Sequence, residues 1–210
     1  MYLAVGEKTK IRNLTREDVE KMQLWKNHRE PLFFHYNFPK MTKEEGDTWY
    51  KIKTAKWQRK SFAIENIEKE IIGYLLIRDI QWIWRDSELG IVLNPAYINQ
   101  GYGTDALQSF LEYYFKKMNM VSIHLRTAKY NERGKRCYEK CGFKSIMEKD
   151  FPFEDQYAEI FHKECYPQAQ EIFTYVDGVA MTRYIIMKMT KKDYFQKVEG
   201  LSTKIMLKCE

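Results

Sequence analysis

The sequence predicts an α/β (α+β) domain built on a mixed, mostly antiparallel sheet of about seven strands flanked by helices. Three observations carry that reading. Residues 61–65, 71–80 and 87–93 are consecutive apolar stretches separated only by tight turns, the arrangement of an antiparallel meander. The third stretch leads through a glycine loop and a helical pattern into a β-branched run at residues 121–127, and such a crossover makes its two strands parallel. The length, 210 residues with 44% hydrophobic and 30% charged, suits a single packed domain over residues 1–210 with appended pieces.

Taken in order, residues 10–14 alternate as a strand, and Thr15 starts a helix with Glu17 and Asp18 in its first turn and Val19, Met22 and Trp25 on one face. Residues 31–39, P-L-F-F-H-Y-N-F-P, are too aromatic for a solvated loop. Phe33, Phe34, Tyr36 and Phe38 are expected to pack on the sheet, with part of that surface lining a pocket. Thr42 and Glu45 form a capping box for a helix that runs to about Trp57. The meander follows, turning at residues 66–69 and at Arg85-Asp86, with Gly73 and Gly90 marking bulges or places where another backbone comes close. Residues 104–118 read as a helix burying Ala106, Leu107, Phe110, Leu111 and Tyr114.

A further helix covers residues 131–141, ended by Gly142, and strands are expected at residues 143–147 and, after the turn signal Asp177-Gly178, at residues 184–189. Between these strands, residues 151–171 carry Glu154, Asp155, Glu159, Glu164 and Glu171 against Lys163, interleaved with Phe153, Tyr157, Phe161 and Tyr166. The core therefore spans about residues 10–189, with 151–171 as an insertion and 190–210 as a polar, basic tail. No internal repeat is present.

Net charge is +6 with pI about 8.9, which favours anionic ligands, but the lysines form no long block, so nucleic acid is not indicated as a partner. The start of the chain lacks the apolar stretch of a signal peptide, and no apolar run approaches the ~20 residues of a membrane helix. A cytoplasmic protein without membrane contact is expected, as monomer or homodimer. Its four cysteines, Cys137, Cys141, Cys165 and Cys209, include no C-x-x-C pair and are expected to stay reduced. His162 and Cys165 have no second ligand pair at a metal-binding spacing, so no metal is expected.

Two stretches carry chemistry. In N-P-A-Y-I-N-Q-G-Y-G-T-D-A-L, residues 94–107, an apolar run stops at Asn94-Pro95, two glycines follow, and a helix starts. Glycine lets backbone N–H groups close on phosphate oxygens, and the helix start adds free donors at its positive end. The second stretch is N-E-R-G-K-R-C-Y-E-K-C-G-F, residues 131–143. Together they resemble the GNAT family of acyl-CoA-dependent N-acyltransferases, in the branch of ribosomal-protein N-terminal and spermidine acetyltransferases. Gly101 and Gly103 match the family's loop, whereas Ile98 replaces its Gln or Arg and Asn99 a common glycine. Asn131, Tyr138, Lys140, Gly142 and Phe143 match the second motif, with Gly134 in place of a small side chain.

The resemblance implies a sheet splayed at the acyl-CoA site and acetyl-CoA as co-substrate. Backbone donors at Asn99, Gln100, Gly101, Tyr102, Gly103 and Thr104 would hold its pyrophosphate. Asn131 would bond the pantetheine or phosphate arm, with Arg136 adding positive charge. A backbone N–H of Ile91, Val92 or Leu93, preferably Val92 or Leu93, would polarise the thioester carbonyl. Tyr138 lies two helical turns from Asn131, on the same face, and would protonate the departing thiolate. Its plainer reading is a packed tyrosine with its hydroxyl bonded to backbone. Strand alternation puts Glu88, Gly90 and Val92 on the cleft side, making Glu88 a general base, directly or through water, or else the ion-pair partner of a neighbour such as Arg85 or Lys69. Direct transfer needs no cysteine; a covalent route through Cys137 or Cys141 would need a base, for which His124 is the one to name. The implied activity is acetyl transfer to a primary amine of a small molecule or a protein N-terminus; the rival is an inactive CoA-binding module. Carboxylates and rings in 151–171 would suit a cationic acceptor.

Overall fold

The computed structural model describes residues 1–161 and 166–206; His162, Lys163, Glu164, Cys165 and Cys209, named above, lie outside the described residues. A short hairpin, β1 (Ala4–Val5) and β2 (Lys10–Asn13), opens the chain. Helix α1 (Arg16–Met22) follows, capped by Thr15 and Asp18 in a reciprocal box. A 3-10 turn (Pro31–Tyr36) and helix α2 (Lys43–Thr54), with the Thr42–Glu45 box, lead to the meander β3 (Lys60–Glu65), β4 (Ile71–Gln81) and β5 (Asp86–Leu93). Then come α3 (Tyr102–Glu112, continued by a π turn to Lys117), β6 (Ser122–Ala128), α4 (Glu132–Cys141), β7 (Lys144–Pro152), β8 (Phe173–Val176), β9 (Val179–Thr190) and α5 (Lys191–Met206).

The sheet runs β1-β2-β3-β4-β5-β6-β9-β7, with β8 paired to β9, and every pairing is antiparallel except β5 with β6. The expected meander and the parallel crossover are present. One face carries the main core, in which Leu75, Ile77, Leu125 and Met187 meet Leu107, Phe110 and Tyr114 of α3. The other face packs Ala63, Ile71 and Tyr74 under Val19, Met22, Trp25 and Phe38.

Several expectations are corrected. Strand β7 runs on to Pro152 and β9 starts at Val179, both beyond the stretches assigned from sequence. Most of β7 is exposed along both faces, so no alternating pattern marks its length. The polar tail is a helix, α5, which buries Tyr194 in the main core beside Phe115. Helix α3 starts at Tyr102 rather than Thr104, because Gly101 takes a left-handed φ of 86° at its cap. Gly73 and Gly90 mark close approach: a Cβ on Gly73 would lie 2.7 Å from the Val92 carbonyl, and one on Gly90 3.1 Å from Leu76. Phe153 and Phe161 of residues 151–171 join Phe173 and Ala180 of the β8–β9 hairpin in a small separate core, with Phe153 and Phe173 5.0 Å apart between ring centroids, while Tyr157 is exposed.

Candidate active site

The parallel pair β5 and β6 is pinned at one end only. Arg85 O accepts from Val121 N, Ser122 Oγ donates to Asp86 Oδ1 at 2.6 Å, and Tyr114 joins Ser87 at 2.8 Å to Ser122 O at 2.7 Å. The one registered pair is Glu88 with His124, after which the strands part. Backbone N–H and C=O groups at the open end must find other partners. A cleft of about 540 Å³ occupies the gap, reaching from the glycine loop to the other face of the sheet.

At one end of it, Ile91, Val92 and Leu93 line the strand edge, and Asn99, Gly101, Gly103 and Thr104 line the loop. Gln100 and Tyr102 do not turn their side chains in: Gln100 Nε2 bonds Ala96 O at 2.8 Å, and Tyr102 packs on the core and Tyr97. The loop fits a pyrophosphate. Gly101 has no side chain to cap α3, so the first-turn N–H groups keep no cap partner. Gly103 lets α3 start close to its neighbours, since a Cβ there would sit 3.1 Å from Leu93 Cδ1 and 3.6 Å from Cys137 Sγ.

Helix α4 closes this end with Asn131, Arg136 and Tyr138. Asn131 Oδ1 caps α4, accepting from Gly134 N at 2.9 Å. That explains Gly134: a Cβ there would come within 2.7 Å of Asn131 Nδ2. Tyr138 is half-buried, and its hydroxyl bonds no group among the described residues, so it does not have the backbone bond of the plainer reading. Burial pushes its phenol pKa up, as do nearby Tyr36, Cys137 and Cys141, against Arg133, and it stays protonated at neutral pH. Cys137 and Cys141 face the start of α3, Cys137 lying 3.4 Å from Thr104 Oγ1. His124 is no partner for them: its Nδ1 lies 3.2 Å from Asp86 Oδ2.

At the other end, Glu88 enters as alternation predicts, but its ion-pair partners are neither Arg85 nor Lys69. Arg78 and Arg126 reach it from the strands on either side, at 2.7 and 3.1 Å. Burial would raise the Glu88 pKa, yet the two arginines outweigh it and hold the carboxyl below its ordinary range. Tyr36, Phe38, Lys53, Tyr74, Glu154 and Tyr184 complete this end. Of the acids in the inserted segment, Glu154 is the described one that faces the cleft. Lys53, Arg78 and Arg126 escaped the sequence reading, because each looks like an ordinary surface cation until the sheet register brings it here.

His28 and His35 also line the cleft. Burial, then Arg133, holds His28 down to about 4; burial, then His28, holds His35 down to about 4 against Asp155 and the Leu32 backbone. Both rings are neutral at pH 7. Their ordinary value is 6.5, so between 6.5 and about 4 the unfolded chain binds more protons and stability falls as pH is lowered. Thermal unfolding should show Tm dropping through that window, and the drop should shrink in a His28→Gln/His35→Gln variant; an undiminished drop would remove both histidines from the account.

A ligand suited to both ends is long, anionic where it meets the loop and able to accept a backbone N–H where the strands part, as an acyl-CoA is. The class of protein is an acyl-CoA-dependent transferase. Residues 8–144 match the family model described as an acetyltransferase (GNAT) domain. Among curated relatives, the spermidine N(1)-acetyltransferase of Vibrio cholerae is 26% identical over 133 residues, 63% of this chain and 77% of that protein. The uncharacterized N-acetyltransferase YnaD of Bacillus subtilis is 34% identical over 84 residues, 40% of this chain and 42% of that protein. The solved Vibrio cholerae spermidine N-acetyltransferase in complex with CoA and spermine shares the fold, with TM-score 0.66 and 20% identity over 89% of this chain and 98% of that one. The chain belongs to the GNAT acetyltransferase family, whose members move an acetyl group from acetyl-CoA to an amine. Among the described residues no helix is long and apolar enough to cross a membrane, and no three His, Cys, Asp or Glu side chains gather as a metal site.

Proposed function

We propose that this protein acetylates the primary amine of a small molecule by direct transfer, with Tyr138 as the acid for the departing thiolate. The observation that carries it is the free, protonated Tyr138 hydroxyl in the same cleft as the parted β5 edge and the uncapped start of α3. A thioester bound there supplies an activated acetyl carbonyl. The N–H of Val92 or Leu93 polarises that carbonyl, and Tyr138 gives a proton to the sulfur. Glu88, ionised under its two arginines, is too weak a base to deprotonate an ammonium by itself. The amine loses its proton to water in the open cleft, with Glu88 ordering that water.

The departures from the family pattern favour activity over an inactive CoA-binding module. Gly134 makes room for Asn131. Ile98 leaves its own position without a side-chain donor, and we assign that part to Lys8: the turn bearing Lys8 is clamped to Asp105 of α3, with Glu7 N, Lys8 N and Thr9 Oγ1 bonded at 2.9, 3.1 and 2.6 Å. Lys8 Nζ reaches Gln100 O at 3.1 Å, beside Gly101. Lys8→Met should raise the acetyl-CoA KM roughly threefold, the size of one exposed charge, with kcat unchanged and a smaller effect in high salt. A salt-independent KM equal to that of the parent protein would exclude Lys8 from the site.

The test of the function is thiol release from acetyl-CoA against a panel of amines, alongside a thermal shift with acetyl-CoA. Acceptor-dependent release supports the transferase; stabilisation without release supports the module. The Vibrio cholerae relative is a spermidine N(1)-acetyltransferase, and here Glu154 offers a carboxylate to an entering ammonium.

A further inference from the structure

The acceptor end of the cleft holds more positive charge than an amine site requires. Arg78 and Arg126 share one carboxylate oxygen, Glu88 Oε1, and neither guanidinium is enclosed, at 37% and 35% exposed. Lys53 of α2 lines the same space; among the described residues no carboxylate lies within ion-pair distance of it, and its ammonium sits 5.4 Å from the Trp49 ring centroid. Burial, then Arg59 and Arg78, holds Lys53 below its ordinary range against an opposing pull from Glu154. Three cations thus face two carboxylates, and Glu88 is already engaged twice. Glu154 has no hydrogen bond or ion pair among the described residues. Tyr184, 6% exposed, lines the same end with a hydroxyl that has no partner among the described residues. A buried hydroxyl in that state is open to a hydrogen bond with a ligand or with water. A polyamine would bring further positive charge to Lys53, Arg78 and Arg126; a molecule with both signs of charge would satisfy all of these groups.

We propose that the acceptor carries an anionic group, a carboxylate or a phosphate, beside its reactive amine, and that Lys53 and Arg78 bind this group while Glu154 receives the ammonium on entry. This rests on the acetyl-transfer reading and narrows its substrate from any small amine to one bearing a negative charge. Lys53 is a specificity-determining residue in this account, with no part in the bond-making step.

The experiment compares matched amines at saturating acetyl-CoA: an amino acid with its amide, phosphoethanolamine with ethanolamine, and spermidine. The anionic member of at least one pair should exceed its neutral partner about tenfold or more in kcat/KM, through KM, as expected for a charge-assisted contact. The two pairs separate carboxylate from phosphate. Lys53→Gln should raise KM for the favoured anionic amine by about tenfold while leaving the KM of neutral amines and of acetyl-CoA unchanged, and Lys53→Arg should recover most of the loss. Spermidine outpacing every anionic amine, or a Lys53→Gln effect equal on neutral and anionic amines, overturns this inference and leaves acetyl transfer standing. Absence of thiol release with every amine, from protein that acetyl-CoA stabilises, overturns both.

Discussion

Tyr138→Phe is expected to lower kcat by about 10²- to 10³-fold while the acetyl-CoA KM stays within about twofold, the range for loss of a positioned general acid. The substitution removes one oxygen and keeps the ring, which packs edge-on to Phe143 at 6.0 Å between centroids. No protein hydrogen bond is lost with it, since the hydroxyl has no partner among the described residues. Stability should therefore hold, and a thermal shift with acetyl-CoA should match that of the parent protein. Because burial raises the phenol pKa, the acid form persists across the neutral range, so the loss should be the same at pH 6 and pH 8. Turnover unchanged by the substitution would send the proton to the thiolate from water.

The second large effect is structural. Gly73 of β4 pairs with Leu93, and a Cβ there would lie 2.6 Å from Leu93 Cδ2 and 2.7 Å from Val92 O. The leucine tip can turn aside; the carbonyl cannot without moving β5. Gly73→Ala should lower stability by about 1 to 3 kcal/mol, a Tm drop of roughly 3 to 10 °C for a chain of this size. The same shift displaces the backbone proposed to hold the thioester, so kcat should fall about tenfold in protein that is still folded. Gly200→Ala is the control: it lies in α5 with nothing within 4 Å of its would-be Cβ, and it should keep or slightly raise Tm. Equal Tm values for the two variants would show that β4 and β5 tolerate a wider spacing at Gly73.

The half of the cleft proposed to meet the nucleotide was legible from residue order because it is local. Gly101 and Gly103 mark the loop and the start of α3 whatever surrounds them, and Asn131 and Tyr138 share a face because seven residues make two turns of one helix. Even there, Lys8 was invisible: it lies 97 residues from Asp105, the side chain that clamps its turn against the loop. The acceptor half was hardly legible. Glu88 was placed on the right face, but the neighbours offered for it, Arg85 and Lys69, are near in sequence, whereas its partners are set by the pairing of β4, β5 and β6. The acidic, aromatic segment offers rings and carboxylates together in sequence; in the folded chain Phe153 and Phe161 pack with Phe173, and Glu154 faces the cleft.

Residue order by itself determined the meander, the parallel crossover, the glycine loop and the helix face that carries Tyr138, because each depends on periodicity or on turn chemistry within a few neighbouring residues. Tertiary structure alone decided the parting of β5 from β6 and the gathering of Lys53, Arg78, Arg126, Glu154 and Tyr184 at one end of the gap. Strand register and side-chain burial assign those contacts, and both come from packing distant segments against one another. The charge at that end of the gap is a sum over Lys53, Arg78, Glu88, Arg126 and Glu154, and no single stretch of the chain contains it.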